Sequence, residues 1–156
     1  MRSLRSLTLL LAAALALGAC ESSTGSEPSI EETEFASSLG VDLAASTKTA
    51  SGLYYRDLAV GTGAVVQAGT RANVRYVGYF ANGTVFDQRT AAQSPFSFTV
   101  GAGQVIEGWD EGVVGMKVGG RRQLIIPPSL GYGSQDYGPI PGNSILVFTV
   151  EVVSIG

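Results

Sequence analysis

Glycine sets the terms for this chain: 21 of its 156 residues are glycine, about twice ordinary usage, and most fall beside or inside strand-like stretches. That distribution favours many tight turns and short strands over long helices. The length supports one domain, with or without a tether, and no internal repeat is apparent.

The first nineteen residues stand apart from that pattern. MRSLRS carries two arginines, and LTLLLAAALAL then runs apolar from Leu7 to Leu17. The run is short for a hydrocarbon layer of about 30 Å and matches the central region of a secretory signal peptide. LGAC at residues 17–20 resembles the bacterial lipobox, in which the cysteine is acylated and becomes the new N-terminus. A lone cysteine is often a buried apolar filler, but Cys20 lies between a leader and a Ser/Glu-rich stretch with no core to join. Residues 1–19 are therefore expected to be a signal peptide and Cys20 a lipidation site, its acyl chains together giving stable membrane anchoring. Glu21 after the cysteine resembles outer-membrane sorting. The expected location is the bacterial cell envelope, lipid-anchored, on the outer membrane facing the periplasm.

ESSTGSEPS at residues 21–29 has nothing to bury and reads as spacer. In the next stretch, IEETEFASSLGVDLAAST, Phe35 and Leu39 are spaced for one helical turn that Gly40 could end. Residues 20–50 are thus read as a lipidated N-terminus and flexible acidic linker rather than a dimerisation element. A monomer is expected, with its folded domain over residues 51–156.

Within that domain, NVRYVGYF (73–80) places Val74, Tyr76 and Phe80 on one side and Arg75, Val77 and Tyr79 on the other, the period-two pattern of a strand. Asn82-Gly83 signals a turn, and Val85-Phe86-Asp87 should return beside the first strand. PFSFTV (95–100) alternates again. In QVIEGWDEGVVGM the period changes: Val105 or Ile106 with Trp109 and Val113 gives the spacing of a short amphipathic helix beginning near Gln104. Gly108 and Gly112 each cost such a helix about 1 kcal/mol relative to alanine, so tertiary packing must hold it. RRQLIIP (121–127) and SILVFTVEVVSI from Ser144 supply further strands. Four or five antiparallel strands with one short helix make an α+β domain.

Charge and composition remove several function classes. The formal net charge is −3, and loss of Arg2 and Arg5 with the leader leaves eight basic against thirteen acidic side chains. Nucleic-acid binding needs a basic stripe, and the only adjacent basic pair is Arg121-Arg122. There is no histidine and no cysteine besides Cys20, so the domain has no disulfide, Cys/His metal cluster, thiol nucleophile or serine triad. Asp110 and Glu111 are adjacent on the helix and point different ways, as on a solvated surface. What remains is an aromatic inventory near turns and strand edges, including the loop tyrosines Tyr132 and Tyr137. A phenol can form an apolar wall while its oxygen reaches a bound polar group.

VRYVGYFANGTVFD (74–87), PFSFTVGAGQVIEGWDEGVVGMKVGGRRQLIIPPSLGYG (95–133) and PIPGNSILVFTVEVV (139–153) closely resemble the FK506-binding-protein family of peptidyl-prolyl cis-trans isomerases. The resemblance covers nearly all of residues 52–154. It implies a highly twisted antiparallel sheet of about five strands wrapped around one short helix. It also implies a proline-binding pocket: Tyr76, Asp87 and Tyr132 as its polar, catalytic members, and Phe86, Phe96, Val105, Ile106, Trp109, Ile140 and Phe148 as the substrate-binding walls. In this likeness Trp109 is the floor under the pyrrolidine ring, Tyr132 the donor to a bound carbonyl, and Asp87 the carboxylate beside the rotating amide. The partners implied are proline-containing unfolded or folding polypeptides and the macrolide FK506; no cofactor or metal is implied. The chain departs from the family pattern at GSQDYGPI (133–140), a residue shorter than in familiar single-domain members, with Tyr137 roughly where they often have histidine. The competing expectation is a non-catalytic module that holds proline-containing segments.

Overall fold

The computed structural model describes residues 27–156. The expected signal peptide and Cys20 lie outside the described residues. Seven strands form one sheet: β1 (Thr47–Lys48), β2 (Tyr54–Ala59), β3 (Arg71–Phe80), β4 (Val85–Arg89), β5 (Phe96–Thr99), β6 (Arg121–Ile126) and β7 (Leu146–Ile155). Their order is β1-β2-β6-β7-β3-β4, with β5 also on β3 and every pairing antiparallel. The two strands beyond the expected five are minor. β1 is a two-residue edge, while β4 and β5 share one edge of β3, pairing with Tyr76–Tyr79 and Arg71–Val74 respectively.

The β3–β4 connection uses the expected Asn-Gly signal in a particular way. The Gly83 amide donates to Phe80 O at 2.9 Å, the Phe80 amide donates to Thr84 O at 2.9 Å, and Gly83 takes φ 87°. A left-handed glycine after a tight turn is the three-residue hairpin solution, and Asn82 Oδ1 secures it by accepting from the Thr84 amide at 2.9 Å. This hairpin fixes where Phe86 and Asp87 stand relative to Tyr76.

The one α-helix, α1, spans Glu107–Gly112. It starts later than the expected Gln104 because Gln104 is spent elsewhere: its Oε1 accepts from the Thr99 amide at 2.8 Å, and Ile106 is still extended at ψ 147°. Six residues cannot sustain a helix alone. Packing explains its glycines. A Cβ on Gly108 would lie 2.7 Å from Ile126 Cγ2, and one on Gly112 2.7 Å from Leu124 Cδ2, so both permit close approach to β6. At the other end Arg122, itself buried, donates from Nη1 to the carbonyls of Gly112 (3.0 Å) and Val114 (3.2 Å). Its Nε and Nη2 fork onto the Asp57 carboxylate at 2.7 and 3.1 Å. Arg122 thus ties α1 to β2 and β6.

The sheet has two apolar faces. The inner face packs Val74, Phe98, Leu124, Ile126, Phe148 and Val150 around Trp109 and Val113 of the helical segment. The outer face carries Tyr54, Ile125 and Val147, covered by Ile30 with Phe35, Leu39, Val41 and Leu43. The expected boundary at residue 51 therefore moves toward the N-terminus. Residues 30–48 lie against the sheet because strands apolar on both sides must be covered on both. Polar contacts secure this strap. Gln123 Nε2 donates to Leu39 O at 2.8 Å, Arg56 Nη2 to Gly40 O at 2.7 Å, and the Ala36 amide to Ala81 O at 2.9 Å. Glu31 pairs with Lys48 and accepts from Tyr54 Oη at 2.6 Å.

Candidate functional site

Four strands, the helix and two loops contribute to one hollow of about 220 Å³ on the inner face. β3 supplies Tyr76, β4 Phe86 and Asp87, β5 Phe96, β7 Phe148 and α1 Trp109; the segment before the helix supplies Gln104, Val105 and Ile106, and the loop after β6 supplies Tyr132.

Trp109 is 4% exposed and held edge-on by its neighbours. Its ring centroid lies 4.9 Å from that of Tyr76 at 85° and 5.3 Å from that of Phe148 at 86°. Phe98 and Phe96 follow at 5.7 and 6.2 Å. Such edge-to-face pairs add about 0.5–1.5 kcal/mol each beyond burial and fix ring orientation. Gly78 makes the cage possible. A Cβ there would meet Phe148 Cε1 at 2.7 Å and Phe86 Cζ at 2.8 Å.

The polar groups are few. Tyr76 Oη donates to Asp87 Oδ2 at 2.6 Å, and the Gln88 amide donates to Asp87 Oδ1 at 2.8 Å. Burial first, then the bond to Asp87 and its charge, push the Tyr76 phenol well above the usual tyrosine range. Burial also raises the Tyr132 phenol, with Tyr137 and Asp87 adding to the effect. Both phenols thus stay neutral and able to donate through the physiological range. Tyr132 stacks on Tyr137 at 4.7 Å and 18°, although Tyr137 itself is 62% exposed. An apolar cage with two neutral phenols and one tethered carboxylate can desolvate a neutral group and orient its carbonyl. Its lining holds no serine, threonine, cysteine, lysine or histidine.

Nine of the ten residues expected around the pocket meet here; Ile140 does not line it. The Gly138-Pro139 turn folds Ile140 back onto Tyr137, with backbone hydrogen bonds of 2.8 and 3.0 Å between the two, and buries its side chain in the core instead. Two contributors were missed from sequence. Gln104 lines the hollow while bonding to Thr99. Asp110, expected as a solvated surface residue, accepts from the amides of Gly101 (2.8 Å) and Gly103 (2.9 Å). It thereby braces the loop that delivers Gln104 and Val105. The signal lay in a Gly-x-Gly turn whose amides need an acceptor, followed by an acid in the first turn of the helix.

Residues 63–153 match the family described as FKBP-type peptidyl-prolyl cis-trans isomerase. FK506-binding protein 4 of Mycosarcoma maydis is 50% identical over 109 residues, 70% of this chain and 29% of that protein. FK506-binding protein 2 of Dictyostelium discoideum is 52% identical over 90 residues, 57% of this chain and 68% of that protein. This chain thus spans under a third of the length of the first of these relatives. Among solved structures, AtFKBP13 superposes with a TM-score of 0.67 at 36% identity, covering 71% of this chain and 98% of that one. FkpA from Escherichia coli gives 0.65 at 35% identity, covering 71% and 51%.

Proposed function

The chain belongs to the FKBP-type peptidyl-prolyl cis-trans isomerases, and on that premise we propose that it accelerates rotation about X-Pro bonds in exported proteins. The single observation that carries this reading is the ring-walled hollow around Trp109, with Tyr76, Asp87 and Tyr132 as its polar members.

Rotation of a prolyl amide crosses a barrier of about 18–20 kcal/mol because carbon–nitrogen resonance is lost at the top, and unaided it takes tens to hundreds of seconds. The twisted amide is less dipolar than the planar one, so an apolar cage favours it over the ground state. Trp109 serves as the floor for the pyrrolidine ring, with Phe86, Phe96, Val105, Ile106 and Phe148 as walls. Tyr132 Oη, which makes no hydrogen bond among the described residues, donates to the substrate carbonyl. Asp87, oriented by Tyr76 and the Gln88 amide, faces the amide nitrogen as its lone pair localises. No bond is broken, so the proton inventory is the same before and after. FK506 would occupy the same hollow.

The cellular setting belongs to the same proposal. The leader at residues 1–19 and LGAC at 17–20 support a bacterial lipoprotein anchored through Cys20, and Glu21 supports the outer membrane facing the periplasm. The protein would work there as a monomer on proline-containing unfolded or folding chains. The test is the cis-to-trans rate of a short X-Pro peptide with the full chain, followed by NMR exchange with and without FK506. Acceleration that FK506 abolishes is expected; no acceleration would leave only a module that holds proline segments.

A further inference from the structure

We propose that a second groove, on the outer face of the sheet, holds an acidic stretch of the polypeptide through Arg75, Arg89 and Arg121. That the same polypeptide presents its prolyl bond to the hollow rests on the function proposed above. The groove measures about 550 Å³, and Tyr76 borders both it and the hollow.

Across the ladder, Glu151 of β7 stands between Arg121 of β6 and Arg75 of β3, while Arg89 of β4, paired with Tyr76 rather than Arg75, joins the groove from its rim. The groove lining therefore carries three positive charges against one negative, in a chain whose formal charge is −3. Lys48, Arg56 and Arg122 have carboxylate partners, whereas Arg75, Arg89 and Arg121 make no ion pair among the described residues. Arg75 Nε is in addition buried with no hydrogen-bond partner. The exposed guanidiniums of Arg89 and Arg121 can each offer a carboxylate two donors in a fork geometry.

The shape of the groove favours a peptide over a membrane. Residues 30–43 already cover the neighbouring part of this face, leaving a recess whose lining also includes Tyr79. An extended chain can lie in such a recess, while a lipid surface reaches protruding side chains. A chain leaving the hollow past Tyr76 would enter the groove with the residues flanking its proline.

The test uses the full chain and peptides carrying three glutamates before, or after, an Ala-Pro bond, each with a glutamine counterpart. At low salt one glutamate peptide should bind roughly five- to tenfold tighter than its counterpart, as two or three screened ion pairs permit. The preference should vanish in R89Q/R121Q and fade for the unaltered chain as sodium chloride rises, while turnover of the glutamine peptides stays unchanged in the variant. Equal binding of glutamate and glutamine peptides overturns the proposal, as does a preference that survives in R89Q/R121Q. A preference insensitive to salt overturns it without recourse to any variant. Binding to phosphatidylglycerol vesicles that is lost in R89Q/R121Q, with the peptides equal, assigns the groove to a membrane instead. Absence of turnover with the acidic preference intact would sink the isomerase assignment and leave the groove standing.

Discussion

Tyr76 and Asp87, on adjacent antiparallel strands, share a 2.6 Å hydrogen bond in which the phenol donates and the carboxylate accepts. The bond orients the one charged side chain among the described residues that line the hollow. Removing it alone, by Tyr76→Phe, should leave the ring cage intact and lower kcat/KM about five- to tenfold, the worth of one hydrogen bond to a charged group. An unchanged kcat/KM in peptide assays would show that the orientation of Asp87 is immaterial.

Tyr132→Phe removes one hydroxyl that the fold does not use. Catalysis should fall about tenfold with the thermal midpoint unmoved, so unchanged kinetics would end its role as carbonyl donor. Because burial holds both phenols above the usual tyrosine range, neither should ionise below about pH 10. A rate profile that loses activity between about pH 7 and pH 9 would contradict this.

Gly108→Ala tests whether close packing or helix propensity governs α1. Alanine is favoured in a helix by about 1 kcal/mol, yet its Cβ would sit 2.7 Å from Ile126 Cγ2. The expected result is net destabilisation of about 1–3 kcal/mol in urea unfolding. A stabilised variant would mean that the helix can move off β6 freely.

Arg122→Ala removes the fork to Asp57 and the donors to the Gly112 and Val114 carbonyls together. Breaking a pair with one buried member should cost about 3 kcal/mol, lowering the midpoint of thermal unfolding on the order of 10 °C. Exposed Arg121→Ala should change stability by under about 0.5 kcal/mol and serves as the comparison.

Glu31 links the strap to β1 and β2, and its carboxyl is held well below the usual carboxylate range, first by Lys48 and then by Tyr54 and Ser29. A depressed carboxyl contributes stability that is full above its unfolded value, about 4.3, and is lost as pH falls toward its folded value. Protection of the Ala36 amide against hydrogen exchange should therefore decline below about pH 4. Glu31→Gln should show that loss already at neutral pH, and equal protection in variant and parent would remove Glu31 as the fastener.

The inner face of the sheet was legible because it obeys simple periods: Val74, Tyr76 and Phe80 at spacing two, Trp109 and Val113 at spacing four. The outer face was harder to read. LIIP and ILVFTV are apolar at consecutive positions, which signals cover on both sides, but the covering residues Ile30, Phe35 and Leu39 are scattered among glutamates with no period of their own. Local pattern also could not see that Gln104 would satisfy Thr99, which delays the helix, or that Asp110 would satisfy two glycine amides. Both depend on loop closure over five to nine residues. Ile140 is a further case: a resemblance carries residue types, whereas the fold buries this side chain in the core cluster rather than among the residues that line the hollow.

β7, the last of the described strands in chain order, lies between β6 and β3 in the interior of the sheet. During synthesis the β1–β2–β6 and β3–β4–β5 groups can pair before β7 is made, but β6 and β3 wait for it before their neighbours are complete. The earliest described residues wait as well, since Ile30 packs with Val147 in one cluster. Such distant pairing places this domain among slow-folding topologies, on a scale of milliseconds to seconds. A chain cut before Leu146 would hold two half-sheets with no seam to join them, so β7 alone makes the two groups one sheet.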